Sequence, residues 1–126
     1  MRNISVASAV LDERTRQNEK WGEQNHPNGT GQESRPLSFL RAYLTGRGVE
    51  STRVPARTLS YLARDDTNRA VREGRGKWKQ ILLEEVFEAF AEDDPAKLHT
   101  ELVKVAAVAQ QWVEAIDRSH AEEVKP

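Results

Sequence analysis

The chain has 126 residues, with 19 basic and 20 acidic side chains and no cysteine. That length suits a single domain, 1–126, with one core. Near balance of charge excludes a general nucleic-acid binder, whose affinity rests on excess Lys and Arg, and without thiols neither a disulfide nor a thiolate metal site can form.

From about Ser5 to Lys20, Ala7, Val10, Leu11, Arg14, Asn18 and Trp21 recur at helical spacing, and Gly22 ends the pattern. The opening MRNISVASAVLDER turns charged after a short run of small apolar residues, so it reads as mature protein and not as a signal peptide. Residues 24–36, QNHPNGTGQESRP, are turn formers and predict a loop. Pro36 opens a short helix through Leu37, Leu40, Tyr43 and Leu44, stopped by Gly46. GRGVESTRVP is a second loop. Pro55 opens a longer helix with Leu59, Leu62, Ala63, Ala70 and Val71, ending near Gly74 and Gly76, and its polar middle RDDTNR is a point where it breaks.

The last two elements carry the clearest pattern. Lys77 to about Glu92 is one helix. Asp94 stands as N-cap and Pro95 as first residue of the next, which runs to about Ser119, leaving HAEEVKP, 120–126, as a frayed tail. The short connection predicts that these two helices lie antiparallel at the core of an all-α bundle. No apolar run approaches the roughly 18 residues needed to span a bilayer. A cytoplasmic protein with no membrane partner is therefore expected.

Acidic residues interrupt the two apolar faces. In ILLEEVFEAF, Leu82, Leu83, Val86, Phe87 and Phe90 form a wide apolar face, with Glu85 and Glu88 one turn apart on its flank. Glu84 falls further round, toward water. On the last helix, Glu101 lies inside the stripe of Leu98, Leu102, Val105, Val108 and Trp112. An ionised carboxylate there is costly unless paired, hydrogen-bonded or metal-bound. Antiparallel packing would gather Glu85, Glu88 and Glu101, and a divalent cation would relieve their repulsion. Oxygen-only ligands suit Mg²⁺ or Mn²⁺. Against this stands the ordinary reading of ExxE as a solvated helix face, with Glu101 paired to Lys97 or Lys104.

EEVFE at 84–88 followed by ELVK at 101–104 resembles the all-α nucleoside triphosphate pyrophosphatase superfamily, the MazG-like group. Its pattern is EExxE, a spacer, then ExxD, on two antiparallel helices. ERTRQNEKWGEQNHP, 13–27, resembles the N-terminal signature of a MazG-like subgroup of actinobacteria and their phages. That subgroup also carries a stretch like 73–116, so the two blocks, 13–27 and 73–116, cover roughly half the chain; 28–72 has no counterpart. The resemblance implies Mg²⁺ or Mn²⁺ held by Glu85, Glu88 and Glu101, and Glu85 or Glu88 as the catalytic carboxylate. It implies hydrolysis of a (d)NTP to (d)NMP and pyrophosphate. Trp21 and His26 become candidates for base or ribose contacts, and a homodimer or homotetramer is implied. Lys104 departs from the pattern, since an ammonium does not ligate a metal at neutral pH. Phosphate contacts are open to Lys20, Arg14, Lys77, Lys79 and Lys104. The bland alternatives are packing for Trp21, Trp78 and Trp112, with Trp112 shielding the carboxylates, and loop bracing for His26. Two other functions remain open: a nucleotide-binding protein that has lost catalysis through Lys104, and a helical protein-interaction module.

Overall fold

The computed structural model describes residues 3–123. These form an all-helical bundle with no strand among the described residues: α1 (Asn3–Trp21), α2 (Leu40–Arg47), a 3₁₀ turn (Ser51–Arg53), α3 (Ala56–Arg72), α4 (Trp78–Phe90) and α5 (Pro95–Glu123). α1 packs on α5, α5 on α4, and α4 on α3. Among the described residues, no helix is long and apolar enough to cross a membrane.

The α4–α5 connection follows from its capping chemistry. Asp94 Oδ2 accepts the backbone N–H of Lys97 at 3.0 Å, satisfying one of the donors that a helix start leaves unpaired. At the start of α4, Gln80 Oε1 accepts the N–H of Lys77 at 3.0 Å. The loop after α1 supplies further partners: Pro27 O accepts the N–H of Trp78 at 3.0 Å and Asn28 O that of Lys79 at 3.1 Å. Gly29 makes this approach possible. Its φ is +75°, and a Cβ there would lie 2.7 Å from Lys77 Cδ.

Four expectations about the elements are corrected. α2 begins at Leu40 and not at Pro36, because 35–40 form turns with bonds from Ser38 N to Arg35 O and from Leu40 N to Leu37 O. It runs through Gly46 and ends at Gly48, whose left-handed φ of 62° forms the C-cap. α3 passes unbroken through RDDTNR. Its polar residues find partners there: Asp65 pairs with Arg69 at 2.7 Å, Asp66 accepts from Gln80 Nε2 at 3.0 Å, and Thr67 Oγ1 donates to Gln80 O at 3.3 Å. α5 continues past Ser119 to Glu123; residues 124–126 lie outside the described residues.

Trp78 anchors the interior. It is 1% exposed, clusters with Val108 and Ala115, and stacks on Trp112 with ring centroids 6.3 Å apart. Phe87 is buried, but Phe90, expected on the same apolar face, ends α4 at 68% exposure. Trp21 is also exposed, with Lys20 Nζ 4.6 Å above its ring. The two tryptophans should therefore respond differently to truncation. Trp78→Ala is expected to cost about 3–5 kcal/mol and Trp21→Ala less than about 1 kcal/mol, measured by urea unfolding followed by circular dichroism.

Candidate functional site

Folding α5 back on α4 brings Glu85, Glu88 and Glu101 together, with one carboxylate oxygen from each within 4.8 Å of the others. The side chains of Glu88 and Glu101 are 18% and 19% exposed. Glu84 joins them. It was expected nearer water, but α3 covers that flank and leaves its side chain 16% exposed.

Two cations face these four carboxylates. Arg64, from α3, donates through Nη2 to Glu88 Oε1 at 2.7 Å, and its Nε lies 3.8 Å from Glu84 Oε1. Lys104 Nζ lies 3.5 Å from Glu101 Oε1, one turn along α5. Hydrogen bonding to Glu88 and the field of the neighbouring carboxylates raise the Arg64 pKa further. The acids move the other way from their ordinary charged state. Burial, then repulsion from Glu88, pushes Glu84 up to about 7. Burial, then Glu88 and Glu84, pushes Glu85 up to about 7, against the pull of Lys104.

The donor set fits a hard divalent cation. Glu85 Oε2 and Glu101 Oε2 are buried and accept no hydrogen bond. A buried carboxylate oxygen left unpaired is strongly destabilising. Mg²⁺ and Mn²⁺ take such oxygens as ligands.

Glu84 and Glu85 also form one wall of a cavity of about 630 Å³, within the size range of small-molecule sites. Lys104, Lys20, Trp21 and His26 line the same cavity. Of the residues considered for substrate contacts, these four thus share one cavity with Glu85. His26 is steadied by Gln24 Oε1 at 2.9 Å from Nε2 and meets Trp78 edge-on at 5.1 Å between centroids. Burial lowers its pKa, favouring the neutral ring.

Other candidates lie elsewhere. Arg14 is committed to Glu114 on α5, Nη1 to Oε2 at 2.7 Å. Lys77 Nζ donates to Arg75 O at 3.3 Å, and Lys79 Nζ to Ser34 Oγ at 2.9 Å. Neither lysine lines the cavity, and neither does Trp112, whose Nε1 donates to Asn28 Oδ1 at 2.7 Å. Trp112 thus braces the loop after α1 and does not cover the carboxylates from the cavity side.

Sequence reasoning missed Arg64 and a buried polar row on the cavity wall. Gln17 Nε2 donates to Glu13 Oε2 at 2.9 Å, Arg16 Nε donates to Glu13 Oε1 at 3.0 Å, and Gln111 Nε2 donates to Gln17 Oε1. Glu13, Gln17 and Gln111 are all buried. Their signal was present: Glu13 and Gln17 stand one turn apart on α1, on the side that also carries Val10. For α3 the signal was the small-residue stripe Ser60, Ala63, Thr67 and Ala70, all buried against the bundle.

Comparison of the chain with protein-family models, with curated proteins and with solved structures finds no match. The site's chemistry rests on its own geometry.

That geometry carries a pH dependence. Glu85 has a folded pKa of about 7 against an ordinary value of 4.5. The folded state then holds a proton that the unfolded chain releases, so stability falls as pH rises from about 4.5 to 7. The neighbouring groups Glu84, Glu88, Glu101, Arg64 and Lys104 all act on this titration. In chelator-treated protein, Glu85→Gln should gain Tm over the wild type as pH rises from 5 to 8, with the two closest at pH 5. Parallel Tm curves would show that Glu85 has an ordinary pKa.

Proposed function

We propose that the chain is a MazG-like nucleoside triphosphate pyrophosphohydrolase, splitting (d)NTP to (d)NMP and pyrophosphate. One observation carries this reading: of three converging carboxylates, two with buried unpaired oxygens, Glu85 also lines a cavity that presents Lys104, Lys20, Trp21 and His26. The two sequence blocks that resemble the MazG-like group contribute these residues. Homodimeric or homotetrameric assembly and a cytoplasmic location belong to the same proposal.

Mg²⁺ or Mn²⁺ at Glu85, Glu88 and Glu101 would supply positive charge against the phosphates. The remaining work falls to the chain. Glu85 or Glu88 orients the attacking water and takes its proton. The water oxygen bonds to the α-phosphorus, the bond from that phosphorus to the α,β-bridging oxygen breaks, and pyrophosphate leaves with the bond's electrons. Lys104 and Lys20 meet the charge on the departing phosphates. Trp21, at the end of α1, and His26, in the loop after it, line the same cavity and would hold the base or ribose.

A second reading has its own observation. Lys104 and Arg64 already place positive charge at the carboxylates. With these as counter-ions, the cavity would bind nucleotide without a metal and without turnover.

Pyrophosphate release from a panel of ribo- and deoxynucleoside triphosphates separates the two. Release that needs Mg²⁺ or Mn²⁺ and falls at least about 100-fold in Glu85→Gln and in Glu101→Gln supports the hydrolase. Wild-type rates in either variant would sink it. Metal-independent nucleotide binding by calorimetry, with no release, would establish the second reading, and Lys104→Asp is then expected to make binding metal-dependent.

A further inference from the structure

α3 lies outside both sequence blocks that resemble the MazG-like group, yet it sends one side chain to the carboxylates. Arg64 Nη2 and Nε both donate to Glu88 Oε1, at 2.7 Å and 3.3 Å. Two donors closing on one oxygen fix its place and so narrow the positions open to the second oxygen. A carboxylate has a second oxygen, so Glu88 keeps a ligand atom while held this way. The same Arg64 lies beside Glu84 at 3.8 Å, bridging two successive turns of α4. A partner hydrogen-bonded to one atom of a ligating group sets that group's direction.

We propose that Arg64 is a positioning residue of the carboxylate site. By holding one oxygen of Glu88, it aims the other at the cation that Glu85 and Glu101 share. The inference rests on the cation reading above and extends it to a helix that supplies none of the three glutamates.

Charge and orientation predict opposite outcomes here. A positive charge beside the site repels a divalent cation, so loss of Arg64 for charge alone would tighten binding. Loss of orientation would weaken it. Lys104 is the internal control, because it places the same charge 3.5 Å from Glu101 without a two-donor grip. Arg64 is 54% exposed along its side chain, so its truncation leaves the interior packed.

The experiment is a Mn²⁺ titration of the full chain, read by the electron paramagnetic resonance signal of the free aqueous ion. Wild type, Arg64→Met, Arg64→Lys and Lys104→Met are compared after circular dichroism has shown equal helix content. Arg64→Met is expected to bind about 10- to 100-fold more weakly. Arg64→Lys should recover part of that loss, since one ammonium can still reach the single oxygen involved. Lys104→Met should bind as tightly as wild type or more tightly. Unchanged or tighter binding by Arg64→Met overturns the proposal, as does Arg64→Lys binding no better than Arg64→Met. Absence of Mn²⁺ binding by the wild type removes the cation reading and this inference together.

Discussion

The repulsion among Glu84, Glu85, Glu88 and Glu101 is the constraint around which this bundle is arranged. Two unit charges 4 Å apart interact by about 1 kcal/mol in water and by about 4 kcal/mol at an effective dielectric near 20. Half-burying four carboxylates against one another therefore opposes the packing of α4 on α5. The fold answers with two cations from different directions, Lys104 on α5 and Arg64 on α3. Burial first, and repulsion from Glu88 second, pushes Glu84 and Glu85 up to about 7, so protonation relieves part of what remains. Apolar contacts elsewhere carry the hairpin through this cost. Trp78, Val108 and Ala115 pack together with Ile81, Leu82 and Trp112 along the two helices.

The same arrangement determines where a ligand has room. α4 and α5 alone would leave the carboxylates on an open face. α3 closes one flank, and α1 with the loop behind it closes the other. Arg118 secures that loop from the far end of α5, donating to Gln24 O at 2.9 Å and to Asn25 Oδ1 at 3.1 Å. Gln24 in turn holds His26, and Asn28 receives Trp112. The loop is polar and rich in turn formers, yet Arg118, Trp112 and Lys79 from the helices and the start of α4 tie it down. The cavity between these walls is lined by acids, basic side chains, amides and aromatics together.

The hairpin was legible in the sequence because its signals agree. Apolar periodicity, a capping Asp before Pro, and acids placed on an apolar stripe all point to the same pair of helices, and the structure has them close to the expected limits. α3 was less legible for a physical reason. Its buried face is Ser60, Ala63, Thr67 and Ala70, small residues that permit close approach but contribute little to hydrophobic periodicity. RDDTNR therefore looked like a break, when its polar side chains in fact bond along α3 and across to Gln80. The misplacement of Glu84 follows from this, since its exposure depends on a neighbour that the sequence left unassigned. Arg64 was invisible for the same reason. Motif resemblance points to Trp21 and His26, while Lys20 and Lys104 are two of five available cations; no spacing rule relates positions so distant in the chain, so their shared cavity was not legible.

Lys104 looks at first like the residue that spoils the site, and the charge count gives it another role. With all four glutamates ionised, Arg64 and Lys104 leave two negative charges uncompensated. One divalent ion neutralises that remainder. An aspartate at 104 would remove one positive charge and add a negative one, leaving four charges and calling for two such ions. On the cation reading, the lysine thus suits the cluster to a single divalent ion. On that reading its ammonium, beside Glu101 and on the cavity wall, would also meet the phosphates of the proposed substrate. A lysine is suited to that place because its flexible stem lets one compact charge follow either the carboxylate or a phosphate, whichever is present.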